Sequence, residues 1–119
     1  MEAEARASQA ESISGLSVLI LKLKDQDTGS LKAYAETLRN RMQDGFVFIS
    51  NETNGKVTFV CASSKAAIAK GLKAGDVVKA AAQLAGGNGG GRPDMAQAGG
   101  RNVAAIAEAL ETVRAKLNA

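Results

Sequence analysis

One segment of the chain has a composition that calls for a chemical explanation. Residues 86–100 read Gly-Gly-Asn-Gly-Gly-Gly-Arg-Pro-Asp-Met-Ala-Gln-Ala-Gly-Gly. Glycines in succession let main-chain N–H groups approach a partner with no Cβ in the way, which is how anions and nucleotides are commonly cradled. Arg92 adds a cation and Gln97 a donor and an acceptor. Gly99 and Gly100 stand just before the expected start of the last helix, where free N–H groups and the positive dipole end favour a phosphate, and Arg101 follows them. Two defined phosphate motifs fail here. No glycine is followed by Lys and a hydroxyl at P-loop spacing, and Arg92 or Asp94 falls where a dinucleotide fingerprint needs its third glycine. From composition alone, a surface loop without a ligand stays open beside the binding reading.

The rest of the inventory speaks against catalysis. The chain has no histidine, which removes Ser-His and Cys-His nucleophiles, histidine-containing zinc sites and the commonest general base. Asp94 after Pro93 reads as a turn former and Asp76 after Gly75 as a helix start, not as catalytic carboxylates. The single cysteine, Cys61, lies on an alternating stretch and reads as a small buried hydrophobe; alone it builds no disulfide and no metal cage. No catalytic residue, metal or cofactor is expected, and the cysteine usage suits a cytoplasmic setting. No apolar run approaches the roughly 18 residues of a spanning helix, so no membrane partner is expected.

Fifteen Lys plus Arg against twelve Asp plus Glu give a net charge of +3, and no two cationic residues are adjacent. Binding to nucleic acid would therefore come from folded geometry and not from a basic tail. Lys65, Lys70, Lys73 and Lys79 are candidates for a basic edge beside the glycines, with a solvated face as the plainer reading, above all for mid-helix Lys79. Arg39 and Arg41 read as a solvated helix face, and Tyr34 as an amphipathic rim residue in preference to a base-stacking one.

The elements that must position these residues follow from periodicity. Residues 1–12, rich in Ala and Glu, read as a helical stub. Residues 16–23 form an apolar run fit for a strand covered on both faces. Leu31, Ala35, Leu38 and Met42 recur with helical period after the capping candidates Asp25, Asp27, Thr28 and Ser30, and Gly45 is expected as the C-cap. A strand over residues 46–49, an Asn54-Gly55 hairpin turn and an alternating strand over residues 56–62 come next. Residues 63–71 read as a connector with a helical turn, and a helix starts at Gly75-Asp76 and stops at Gly86. The chain is expected to leave regular structure through the glycine run, form a short strand at residues 95–98, and end in a helix capped by Asn102 with Val103, Ile106, Leu110, Val113 and Leu117 as its buried stripe. Strands alternating with helices and one hairpin predict a small α/β sandwich: a mixed sheet with packed helices. With aromatic residues at only 3%, close packing of small side chains has to supply its stability.

The string Gly89-Gly90-Gly91, Arg92-Pro93-Asp94-Met95, Ala96-Gln97-Ala98-Gly99-Gly100 resembles the signature of the DHH-associated accessory domain family, in the form found at the C-terminus of bacterial alanyl-tRNA synthetases. Lys56-Val57, Ser64-Lys65, Lys73-Ala74-Gly75-Asp76 and Gly86-Gly87-Asn88 extend the resemblance over residues 13–119, one domain. Residues 1–12 would then be the last turns of an arm leading from an editing domain. The resemblance implies a non-catalytic module that contacts the outer corner, or elbow, of tRNA(Ala) and assists the editing and aminoacylation domains of its parent ligase. It leaves open an oligomerisation module that self-associates, and a phosphoesterase accessory domain that grips single-stranded nucleic acid or a nucleotide. The contact is placed on Gly89, Gly90, Gly91, Arg92, Gln97, Gly99, Gly100 and Arg101, with Lys65 and Lys73 alongside.

Overall fold

The computed structural model describes residues 9–118. Six strands form one mixed sheet in the order β1-β2-β3-β4-β6-β5. They are β1 (Glu11–Ile13), β2 (Leu16–Lys24), β3 (Gly45–Thr53), β4 (Lys56–Ser63), β5 (Asn88–Gly91) and β6 (Met95–Gly100). Only β2 and β3 run parallel; every other neighbouring pair is antiparallel. The helices are α1 (Thr28–Asn40), α2 (Lys65–Ala69), α3 (Ala74–Leu84) and α4 (Ile106–Leu117), the last preceded by a 3-10 turn over Val103–Ala105.

The period-two alternation of the strands divides the core into two layers. On one face Leu16, Val18, Phe46, Phe48, Phe59 and Cys61 pack against α3 and α4, and the Phe48 and Phe59 rings stack at 5.7 Å. On the other, Leu19, Leu21, Val47, Ile49, Val60 and Ala62 pack against the Leu31, Ala35 and Leu38 stripe of α1. One helix thus covers a face that two helices cover on the opposite side. The mixed α/β sandwich expected from the sequence is the observed architecture.

The start of α1 is fixed by two side chains. Asp27 caps it by accepting from Gly29 N and Ser30 Oγ. The amide of Asn51, buried in β3, donates to the Gln26 carbonyl at 3.0 Å and accepts from the Gln26 N–H at 3.1 Å, so the loop entering α1 is held as if by a ladder rung.

Several elements differ from expectation. Glu11 and Ser12 are strand, because β1 pairs antiparallel with β2; the rest of the expected stub lies outside the described residues, apart from a turn at residue 9. The helix α1 ends at Asn40, and Gly45 opens β3 instead of capping α1: a Cβ there would stand 3.0 Å from the Arg39 carbonyl oxygen. The glycine run does not leave regular structure, since residues 88–91 are an edge strand paired with β6. Asn102 caps the 3-10 turn by accepting from Ala104 N, and Val103 and Leu110 are only half-buried at the margin of the stripe.

Candidate nucleic-acid interface

The glycines are explained first by packing. A Cβ at Gly87 would collide with the Gly99 carbonyl oxygen, and one at Gly91 would lie 2.9 Å from Ala96 Cβ. At Gly75, in the first turn of α3, it would lie 2.6 Å from the Gly91 carbonyl oxygen. Glycine at these positions lets α3 lie directly on β5 and lets β5 pair with β6, an approach that any side chain would block. Gly86, with φ +71°, supplies the left-handed turn out of α3.

The alternation of β5 and β6 then sorts the predicted site residues. Gly89 and Gly91 stand opposite Ala98 and Ala96, which belong to the layer under α3 and α4, and Gly100 is buried against Ala85. Asn88, Gly90, Gln97 and Gly99 fall on the other face, in register with Thr58 and Val60 of β4. The helix α1 covers that face over β3 and β4 and reaches only the margin of β6. Beyond it the sheet lies open: Asn88, Gly90 and Gly99 are exposed and Gln97 half-buried.

Cations border this glycine-paved surface at both ends. Lys32 of α1 and Arg92 flank a groove of about 480 Å3 floored by Gly90, Ala96 and Gln97. Lys56 and Arg101 flank a second depression of about 280 Å3 beside Thr58, Gly87 and Gly99. The two pairs are separated by the length of β6, about 17 Å at the usual rise per residue, too far for one phosphate to serve both. Paired cations, main-chain edges and an amide on a shallow surface suit a polyanion that lies across it, and both depressions are open and not enclosed as a small-substrate cavity would be.

Other predicted contacts lie elsewhere. Lys65 lines a separate cleft with Arg39, Met42 and Ser64, and Lys73 is the N-cap position of α3, on the covered side of β5. The N–H groups of Arg101 and Asn102 both donate to the Ala85 carbonyl, at 2.8 and 2.9 Å, so they are not open to an anion before the last helix. Neither Lys32 nor Lys56 is among the contacts predicted from the sequence, although Lys56 belongs to the family resemblance. Lys32 shares a flank of α1 with Glu36 and Arg39 at helical spacing, and Lys56 opens β4 in antiphase to Val57 and Phe59; reading those elements for their polar faces would have found both. Tyr34 lies about 160° round α1 from Lys32 by helical geometry; it is half-buried against the core with its hydroxyl buried, a rim residue away from the open face.

The turn that carries Arg92 is pinned from three sides. Ala74 N donates to the Pro93 carbonyl at 2.7 Å, Ser63 N to the Asp94 carbonyl at 2.9 Å, and Arg39 Nη1 to that same carbonyl at 3.0 Å. The Arg39 side chain is 13% exposed and also donates to Asn40 Oδ1, with Glu36 at 3.6 Å. The expected solvated role of Arg39 is therefore corrected: it is an internal strut between α1 and the turn. Arg92 pairs with Asp94 through Nε at 3.3 Å, and its side chain is 74% exposed.

Cys61 is fully buried, and burial pushes its thiol up to about 12, against a lowering contact from Ser63 Oγ. It is an inert core residue. Among the described residues no group of three His, Cys, Asp or Glu side chains is placed to hold a metal ion, and no helix is long and apolar enough to cross a membrane.

The DHHA1 domain model matches residues 15–119. The chain belongs to the DHHA1 domain family. Within that family it is similar to the alanine–tRNA ligases. It is 42% identical over 106 residues to that of Alkaliphilus oremlandii, covering 89% of this chain and 12% of the relative. With that of Oceanobacillus iheyensis it shares 39% over 113 residues, 95% of this chain and 13% of the relative. The chain thus spans about an eighth of the length of these curated relatives. Among solved structures, the C-Ala domain from Aquifex aeolicus alanyl-tRNA synthetase superposes with a TM-score of 0.84 at 27% identity, covering 92% of this chain and 98% of that one. A DHH-domain protein assigned to a family of ribosomal proteins shares the fold at 12% identity and a TM-score of 0.67, over 98% of this chain and 30% of that one. This DHHA1 domain therefore corresponds to the C-Ala domain of alanyl-tRNA synthetase.

Proposed function

We propose that this DHHA1 domain is the non-catalytic tRNA-binding module of an alanine–tRNA ligase, holding the outer corner of tRNA(Ala) on the open face of β5 and β6. The observation that carries the reading is that surface: glycine-paved, exposed, and bordered by Lys32 and Arg92 at one end and Lys56 and Arg101 at the other. Such a surface reads shape and backbone, as folded RNA is generally read, and lacks the projecting helix a sequence-reading protein would use. A second attachment point raises the hold of a parent enzyme on its tRNA through effective concentration, without new chemistry. The editing and aminoacylation domains of that parent are its other partners in this reading. Self-association through α4 is disfavoured, because Ile106, Ala109, Val113 and Leu117 are buried in the domain's own core.

The test is a fluorescence titration of the domain with a full tRNA(Ala) transcript and with a minihelix that carries the acceptor stem but no corner. Binding to the transcript at low salt with little binding to the minihelix is expected. No binding, or equal binding to both, would overturn the reading.

A further inference from the structure

We infer that Arg39 is a positioning residue for RNA contact: it sets the height and direction of Arg92 without itself touching the RNA. This rests on the open-face reading above and adds to it a residue from a different element. The Arg39 guanidinium is committed inward. Nη1 donates to the Asp94 carbonyl, Nε and Nη2 donate to Asn40 Oδ1, and Glu36 stands against Nη2. Its side chain is 13% exposed and each of its three nitrogens already faces a protein partner, so it is held as a strut and not extended towards the open face.

What Arg39 holds is the short turn between β5 and β6. The Arg92 N–H donates to the Met95 carbonyl at 3.1 Å across that turn, and the Asp94 carboxylate takes Arg92 Nε. An Arg held at Nε keeps both Nη groups available as a fork, the geometry that suits a phosphate. The ion pair itself is exposed and weak. The fixed part is the backbone, and Asp94 is its pivot: its carbonyl is bound by Arg39 and Ser63 while its carboxylate orients Arg92. Losing Arg39 leaves the Ser63 contact alone to hold that carbonyl. The turn then gains freedom that RNA binding must remove again, a cost that appears as lost affinity.

The experiment is a double-mutant cycle on tRNA binding with Arg39→Ala, Arg92→Ala and the double variant, with Arg39→Lys as the conservative partner. In parallel, the Arg92 Nε–Hε resonance is followed by NMR without RNA. Expected are a loss of about fivefold for Arg39→Ala, substantial recovery in Arg39→Lys, and no further loss when Arg39→Ala is added to Arg92→Ala. The Nε–Hε signal should shift or exchange faster in Arg39→Ala while the domain remains folded. Losses that multiply in the double variant, or an unmoved Nε–Hε signal, would overturn the inference and leave the interface standing. Should Arg92→Ala bind like the parent domain, the interface reading fails and the positioning role falls with it. If Arg39→Ala does not fold, Arg39→Lys carries the cycle: a smaller loss of the same non-additive form supports the role, and additive loss refutes it.

Discussion

Arg39 of α1 and Asp94, 55 positions later in the chain, meet through a single main-chain contact: the guanidinium Nη1 donates to the Asp94 carbonyl at 3.0 Å. That contact ties the helix on one face of the sheet to the turn that ends the glycine strand. Because the Asp94 carbonyl is also bound by Ser63 N, it joins α1, β4 and the β5–β6 turn at one point. Replacing Arg39 by Ala is expected to cost about 1.5–3 kcal/mol of stability, the range for a charge-assisted bond, whereas Lys32→Ala, at an exposed helix position, should change stability by less than about 0.5 kcal/mol. Urea unfolding of both variants measures the contrast.

The glycines separate into packing and surface classes. Gly87→Ala is expected to unfold or severely destabilise the domain, because its Cβ meets the Gly99 carbonyl with no room to shift. Gly90→Ala meets nothing within 4 Å, but its φ of +159° strains an L residue, so a loss of about 1 kcal/mol is expected with the fold retained. A larger Gly90→Val change carries that strain too, so its binding must be read against its measured stability. Thermal unfolding monitored by circular dichroism distinguishes the two classes.

The Asn51 amide that clamps Gln26 makes a third prediction. Asn51→Ala leaves both Gln26 main-chain groups without these partners, and about 2–3 kcal/mol should be lost. Hydrogen exchange should show the first turn of α1 opening more readily, with β4 and β6 little changed.

Cys61 gives the pH dependence. Its thiol is raised from 9.0 to about 12 by burial, so the folded state keeps the neutral form while the unfolded chain ionises. The stability this contributes is fully present below pH 9 and declines as pH rises towards 12. At pH 10.5 the decline amounts to at most about 2 kcal/mol. The alkaline fall in melting temperature should be shallower in Cys61→Ala, whose baseline is lower because of the cavity it creates. In the native domain the thiol should react with a disulfide reagent at pH 8 only at the rate of opening.

Much of this organisation was legible in the sequence, because hydrophobic period reports burial directly. The α1 stripe of Leu31, Ala35 and Leu38, the alternation of Val57, Phe59 and Cys61, and the turn at Asn54-Gly55 all appear as read. The glycine strand was not legible as a strand: with no side chains it carries no alternation, and pairing with β6 beneath α3 is a tertiary effect that overrides glycine's poor strand propensity. For the same reason the sequence did not show that the predicted contact residues divide between the two faces of the sheet. Gly90, Arg92, Gln97, Gly99 and Arg101 come together on or beside the open face; Gly89, Gly91 and Gly100 are required by packing, with Gly91 and Gly100 also lining the two depressions, and Lys65 and Lys73 lie away from it. The strut role of Arg39 needed a partner 55 residues away, which no local pattern announces.

The most direct test of the open-face account is the salt dependence of tRNA(Ala) binding in Lys32→Ala/Arg92→Ala, set beside Lys79→Ala on the exposed side of α3. The account predicts that the double variant loses at least about tenfold in affinity at low salt, with the log–log slope reduced by about 1.4–1.8, as two lost phosphate contacts require. Lys79→Ala should stay within about twofold of the parent domain with its slope unchanged. Equal losses in the two variants, or an unaltered slope in a folded Lys32→Ala/Arg92→Ala domain, would contradict it.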